Sequence, residues 1–383
     1  MLPVKSLKVM NEALKSMIAR WEVGSEFHWS DDALTPPPSS SENLFPENYE
    51  LFSTATGILL AIERFLKGSR ERRLRLHLPT YYCMEVAAKI SKVFELCWYR
   101  DLPTEPLPDF NSLRPLPGDL VLAVNLFGVK EGKPWQDWLS QNQDIILIED
   151  HSHDPFSLWA QQTTAHYAMA SLRKTLPIPD GAMIWSGQKM ELPRPSKPES
   201  SAAAQKLTAM LLKRAYLIGA DISKDSYRIL QMEGEEHLIN DGDRSISTLT
   251  NNVLLSLKIS EMRQQRAANV KDFLDMLLKN QQESYQPLFT NWSSGSVPFN
   301  SILLCKNHQI REELRRFLIS KNIFAPVHWP QPPDQLSGND PKAFDLSNRL
   351  LTVPTDHRYS YNDITQVAAK FAEFSPLQPS ASY

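Results

Sequence analysis

Glycine is scarce in this chain, at 13 of 383 residues, half of the usual ~7%. With 42% apolar and 22% charged residues, that composition excludes collagen-like, coiled-coil and disordered chains. Cysteine is nearly absent. Cys83, Cys97 and Cys305 are odd in number and widely spread, so neither a disulfide framework nor a zinc pattern can be built from them. A reducing, cytoplasmic compartment is the expectation. No apolar run approaches the roughly 18–20 residues of a membrane span; the longest, around Leu120–Val129, is interrupted by Asn125. The N-terminus shows no signal-peptide layout. Neither charge sign dominates: Lys and Arg total 41, Asp and Glu 44, for a net charge of −3. A dedicated nucleic-acid binder would carry a basic excess. No membrane and no nucleic-acid partner are therefore expected.

A chain of this length predicts two domains, or one large domain with an appendage, and it can bury a core without staples. Residues 1–48 read as an N-terminal helix and arm. The apolar positions Leu7, Met10, Leu14, Met17, Ile18 and Trp21 recur at helical spacing, and the Pro/Ser-rich stretch 30–48 follows. A regular alternation then begins. Helices are expected at Thr54–Lys67, Tyr82–Ser91 and Lys133–Ser140. Strands are expected at Leu74–Leu78, Phe94–Tyr99, Leu120–Asn125, Ile145–Ile148, His166–Ala170 and Ala182–Trp185. Such alternation predicts an α/β fold with a mostly parallel sheet flanked by helices over 49–283. Residues 191–206 read as a low-complexity loop, followed by helices at Leu207–Ala220 and Asn252–Lys279. From Ser284 the character changes to a small α+β domain over 284–383, with strands Ser301–Cys305 and Phe324–Val327 and helices Ile310–Lys321 and Asn362–Phe374.

Four local features could carry chemistry. Ser53-Thr54-Ala55-Thr56-Gly57 opens a helix, where free N–H groups and hydroxyls suit a phosphate as well as a plain cap. Glu149-Asp150-His151-Ser152-His153-Asp154 ends a buried strand. Its histidines have too few companions for a metal site, so none is expected, but an acid ending a buried strand suits a cofactor partner. Ser171-Leu172-Arg173-Lys174 follows another strand, and a lysine partly stripped of water is the residue type Schiff-base chemistry needs. Arg70, Arg72, Arg73 and Arg75 form a basic cluster that is either a solvated connection or an anion attractor. In parallel sheets ligands bind beyond the carboxyl ends of strands, so Asp150, Ser171 and Lys174 can reach one crevice.

The order of these features resembles that of pyridoxal-phosphate (PLP) enzymes of fold type I, and more closely the DegT/StrS-type aminotransferases of amino-sugar synthesis. The similarity runs from about Glu50 to Phe374. It is carried by FSTATGILLAIERFL, LPTYYCMEVAAKI, GDLVLAVNLFGVKEG, IILIEDHSHD, AHYAMASLRKTLPIPDGA, RSISTLTNNVLL, APVHWP and LLTVPTDHRYSYNDI. The resemblance implies a large PLP-binding domain over 49–283 and the small domain over 284–383. It implies that Lys174 bonds the cofactor and acts as catalytic base and acid. Asp150 would pair with the pyridine nitrogen, and His153 would stack on the ring. Thr56, Gly57 and Ser171 would hold the phosphate, and Tyr81 or Tyr82 would line the pocket. Asn251 or Asn252 would reach the phosphate of a neighbouring subunit, which implies a homodimer with shared sites. The implied reaction moves an amino group from an amino-acid donor to a keto acceptor, such as a nucleotide-linked keto sugar in polysaccharide synthesis. A PLP lyase or dehydratase and a non-catalytic relative are the alternatives. The lysine follows Ser-Leu-Arg directly and is trailed only by Asp180-Gly181-Ala182, which marks a divergent branch.

Overall fold

The structure, a computed structural model, describes residues 19–30, 44–68, 71–280, 282–331, 336 and 338–376. The expected helix over 1–23 and the arm over 30–48 fall largely outside those residues. In chain order, β1 is Val23–Gly24 and β2 is Tyr49–Phe52. Helix α1, Ala55–Lys67, starts where the Thr54 hydroxyl accepts the Gly57 N–H at 3.0 Å, and it ends at Gly68, whose φ of +52° suits glycine. Then come β3 (Arg75–Pro79), α2 (Met84–Ile90), β4 (Glu95–Tyr99), β5 (Leu120–Val124), α3 (Lys133–Gln141), β6 (Ile146–Asp150), α4 (Leu158–Gln161), β7 (Tyr167–Ser171) and β8 (Ala182–Trp185). Four helices follow: α5 (Ser201–Leu217), α6 (Lys224–Asn240), α7 (Thr248–Leu254) and α8 (Ile259–Lys279). The chain closes with β9 (Tyr285–Pro287), β10 (Ser301–Cys305), α9 (His308–Ser320), β11 (Ile323–Phe324), α10 (Pro341–Arg349), β12 (Leu350–Val353) and α11 (Tyr361–Glu373).

The large sheet has seven strands in the order β2-β8-β7-β6-β5-β3-β4. From β7 to β4 every pair is parallel, while β8 runs antiparallel to both β7 and β2. The mostly parallel α/β sheet expected from the sequence is therefore present. Strands β5 and β7 are buried along their whole length, as their unbroken apolar runs require between two helical layers. The register pairs Val124 with Asp150 and Asp150 with Met169, so β5 and β6 end level and β7 runs two residues further, to Ser171. Strand order reverses at β3, which has β4 on one side and β5 on the other. That reversal opens a crevice at the carboxyl ends. A three-stranded antiparallel sheet, β12-β10-β9, shares its core with α8, α9 and α11. Among the described residues no helix is long and apolar enough to cross a membrane.

Residues 19–30 form a strap over the C-terminal part. β1 pairs in parallel with β11, Val23 opposite Ile323. The Gly24 N–H donates to the Tyr359 hydroxyl at 2.7 Å, and Arg358 donates to the carbonyls of Ser25 and Glu26. From the other side, the buried Lys213 ammonium donates to the carbonyls of Gly24 (3.2 Å) and Glu26 (2.7 Å).

Several expectations need correction. Helix α5 begins at Ser201, six residues before the expected start, because the Ser200 hydroxyl accepts the Ala202 N–H and three alanines follow. Helix α6 was not expected: it has few apolar positions, and Gly234 sits mid-helix where a Cβ would come within 2.9 Å of the Lys206 stem. The helix expected over Asn252–Lys279 is two helices, and the break between them turns Leu254, Leu257 and Ile259 into the core. The strand expected over Phe324–Val327 is only Ile323–Phe324, since Pro326 has no N–H to give a ladder.

Candidate active site

The crevice is a deep slot, walled mostly by strand ends, the turns after them and a helix start, with Trp329 added from a loop. Asp150 is the last residue of β6 and Ser171 the last of β7. Lys174 closes a single 3₁₀ turn, Leu172–Lys174, directly after β7. Backbone bonds fix that turn against the start of α1. The Leu172 N–H donates to the Gly181 carbonyl at 3.0 Å, and the Gly181 N–H donates to the Ser53 carbonyl at 2.8 Å. Gly181 has φ of +129°, and an added Cβ would lie 3.1 Å from Ile178, so this junction requires glycine. The slot is lined by Thr54, Ala55 and Thr56 of the helix start, by Tyr82 and Cys83 after β3, by Asn125 after β5, by Asp150, Ser152 and His153, by Ser171 and Lys174, and by Trp329.

The slot presents opposite charges at its two ends. At α1 the cap serves only the Gly57 N–H, so the N–H groups of Ala55 and Thr56 have no helical partner. No acidic residue sits in that first turn to neutralise the positive end of the helix dipole. Asp150 Oδ1 accepts the Ser152 N–H at 2.9 Å, while Oδ2 makes no hydrogen bond among the described residues. The Ser152 hydroxyl in turn accepts the Ser171 N–H at 2.9 Å, tying the ends of β6 and β7 together. The Lys174 ammonium has no carboxylate partner among the described residues and lies 5.5 Å from the centre of the Trp329 ring. Trp329 stacks on His153, with centroids 5.3 Å apart and planes 15° apart, and Phe299 lies on His153 at 4.6 Å. His153 Nδ1 accepts the Phe127 N–H at 2.9 Å, while Nε2 is buried without a partner. Burial first, then the charges of Lys174, His328 and Arg266, hold His153 well below the usual imidazole range. The neutral ring therefore carries its proton on Nε2. Burial, then the neighbouring Asp150, pushes the Tyr82 hydroxyl well above its ordinary value.

Six residues singled out from the sequence meet here: Thr56, Tyr82, Asp150, His153, Ser171 and Lys174. Gly57 lies one position behind the wall, where a Cβ would sit 2.9 Å from the Gly242 carbonyl. Of the two tyrosines, Tyr82 lines the slot; Tyr81 is fully buried beside it and donates to the His328 carbonyl. Asn251 and Asn252 are exposed on α7, away from the slot. His151 also lies outside it, bonded to Glu149 at 3.0 Å and packed on Trp159 and Trp185, so the two histidines do not converge. Arg72 and Arg73 are exposed, Arg75 pairs with Asp119 and Glu95, and Arg70 is outside the described residues. Sequence reasoning passed over Cys83, Asn125, Ser152 and Trp329. Trp329 lies within the APVHWP stretch, but nothing local assigns it a place 155 positions beyond Lys174.

A second, larger cleft of about 620 Å³ adjoins the slot, and Arg173 and Lys174 line both. His328, Phe299, Asn300, Arg266 and the strap residues Gly24–Phe27 also border it.

No family model matches the sequence, and no curated protein matches it. Solved structures do match the fold. A putative sugar aminotransferase, Spr1654 from Streptococcus pneumoniae in its PLP form, superposes with a TM-score of 0.63 at 12% identity, over 92% of this chain and 98% of that one. Helicobacter pylori PseC, an aminotransferase of pseudoaminic acid biosynthesis, gives 0.59 at 13% identity, over 97% and 96%. The E. coli GDP-4-keto-6-deoxy-D-mannose-3-dehydratase with bound hydrated PLP gives 0.56 at 14% identity, over 85% and 87%. The chain has the fold of these type I PLP enzymes.

Proposed function

We propose that this protein is a PLP-dependent aminotransferase, moving an amino group from an amino-acid donor to a keto acceptor. The observation that carries the reading is the slot itself. A lysine with no carboxylate partner among the described residues, a half-satisfied carboxylate and an open helix N-terminus, from three separate elements, meet in one cavity. The donor set fits the cofactor group by group. The N–H groups of Ala55 and Thr56, with the hydroxyls of Thr56 and Ser171, suit a phosphate. Asp150 suits a protonated pyridine nitrogen, His153 suits a ring face, and Lys174 suits the bond to the aldehyde carbon. The cofactor, when bound, supplies an electron sink for the carbanion formed at the substrate carbon. The chain's residues do the rest. Asp150 holds the proton at the pyridine nitrogen. Lys174 takes the proton from the substrate α-carbon and returns it, as general base and acid. His153 and Trp329 keep water from the slot.

The fold neighbours include two aminotransferases, one a putative sugar aminotransferase, which supports a nucleotide-linked keto sugar as acceptor and a role in polysaccharide or amino-sugar synthesis. A dehydratase also shares the fold, so PLP lyase or dehydratase chemistry is the second reading; a non-catalytic relative is less favoured with Asp150 and Lys174 both in place. We read 49–283 as the cofactor domain, 284–383 as the small domain and 1–48 as an arm. The protein is taken to work in the cytoplasm as a homodimer, with exposed Asn251 reaching the partner's slot. The test is a visible spectrum with added PLP, then borohydride reduction and peptide mapping. A reduced cofactor on the Lys174 peptide is expected, and the Lys174→Ala variant should lack it. Conversion of the cofactor to its pyridoxamine form by glutamate, one equivalent per site, is expected for an aminotransferase. Its absence would favour the dehydratase reading, and an unmodified lysine under excess PLP would remove both enzyme readings.

A further inference from the structure

The larger cleft holds a group that the proposed reaction leaves unused. Arg266 is 2% exposed and borders the cleft. One of its nitrogens, Nη2, donates to Asp154 at 3.3 Å; Nε is buried without a partner, and Nη1 makes no hydrogen bond among the described residues. Asp154 is itself shared: Arg263 holds it at 3.1 and 2.9 Å, and the Val297 N–H donates to it at 2.8 Å. Arg266 thus brings a positive charge to the cleft but receives, among the described residues, one long bond in return. Asn300, 8% exposed, borders the same cleft. Its Oδ1 accepts the Thr355 N–H at 2.8 Å, which fixes the amide, and its Nδ2 has no partner among the described residues. A buried guanidinium left this short of acceptors is costly. Two fixed N–H donors of this kind match the two oxygens of one carboxylate. Lys174 lines the same cleft, and its charge and that of Arg266 both act on the ring of His153. The other cleft cations are differently placed: Arg173, Lys206, Lys224 and Arg358 are bound to Glu235, Glu26, Glu22 and Asp356, Arg315 is half-exposed beside Glu312, and Arg228 is exposed.

We propose that Arg266 and Asn300 form the carboxylate-binding site for the amino donor, on the cleft side of Lys174. The inference rests on the reading of Lys174 as the amino-transfer residue. An α-amino acid carries its amine on the carbon next to its carboxylate, so anchoring the carboxylate here presents the amine towards Lys174. The cleft is much larger than one amino acid, which leaves room for a bulkier acceptor in the second half of the reaction.

The experiment is calorimetric titration of the full chain, with PLP added, using glutarate, a dicarboxylate that cannot be transaminated. Saturable binding is expected for the wild type. Asn300→Asp keeps the bond to Thr355 but replaces the donor by an anion, and affinity should fall at least tenfold. Arg266→Lys should lose part of the affinity and Arg266→Gln nearly all of it, while the exposed Arg72→Gln should bind as the wild type does. No saturable binding by the wild type, or equal affinity in Asn300→Asp, overturns the proposal. Because Asn300→Asp is isosteric, the test stands if the Arg266 variants fail to fold. Glutarate binding lost in Asn300→Asp, in a protein whose Lys174 takes up no cofactor, would uphold the carboxylate site and overturn only the catalytic reading.

Discussion

Lys213 makes the stability of this protein depend on pH near neutrality. Its side chain is 1% exposed, and burial, with the nearby Arg358, lowers its pKa from 10.5 to about 7, against the opposing pull of Glu22, Glu26 and Asp356. Glu22 is the nearest acid, at 3.6 Å. The folded state therefore binds fewer protons than the unfolded chain between pH 7 and the unfolded pKa. Stability must rise with pH across that window and be flat in this term below it. A shift of this size is worth roughly 4–5 kcal/mol in full, at 1.36 kcal/mol per unit. Between pH 7 and 8.5 the gain from this lysine is about 2 kcal/mol. The assay is urea unfolding at pH 6.5, 7.5 and 8.5, comparing the wild type with Lys213→Met. Methionine keeps the length and removes the titration. The wild-type midpoint should climb with pH and the variant's should climb less. Parallel pH dependence in the two proteins would refute the reasoning, since the difference between them carries only this one group.

Other outcomes follow from the same contacts. Asp154→Ala strips Arg263 and the buried Arg266 of their shared carboxylate and should cost about 3–5 kcal/mol, read as a lowered denaturation midpoint. Thr54→Ala removes the cap of α1 and should cost ~1 kcal/mol, with weaker retention of added PLP on gel filtration. Glu235, held by Arg173 and Lys206, has its pKa lowered to about 2. Its contribution is complete above the unfolded value and is lost as pH falls towards 2, so Glu235→Gln should lessen acid sensitivity below pH 4. An acid titration followed by circular dichroism, with the same curve for variant and wild type, would contradict that assignment.

Local signals made the large sheet legible. The apolar runs read as strands at Leu120–Asn125 and His166–Ala170 are the buried β5 and β7, whose ends border the slot. Asp150, Ser171 and Lys174 follow strand candidates closely enough to be placed at one crevice, while their roles come from the family resemblance. Trp329 and Arg266 were not legible. Each owes its role to a neighbour brought in by the fold, His153 for one and Asp154 for the other, and no periodicity marks such a meeting. Helix α6 escaped because its stability comes from packing on α5, with the Lys206 stem laid over Gly234, rather than from an apolar stripe of its own. The choice between Tyr81 and Tyr82 needed the exact end of β3, and boundaries are the least certain thing a pattern yields.

The parallel pair of β1 with β11 has a consequence for synthesis. Val23 and Ile323 stand 300 positions apart in the chain. At roughly 5–20 residues per second, the first is made about 15–60 s before its partner exists. Lys213, itself made well into that interval, can then take the carbonyls of Gly24 and Glu26, but the Gly24 N–H still has no Tyr359 to meet. The strap is thus made long before β11 and is among the last segments to find its place. A nascent chain arrested before residue 323 should stay open to proteolysis at residues 19–30, long after β5, β6 and β7 have closed into a sheet.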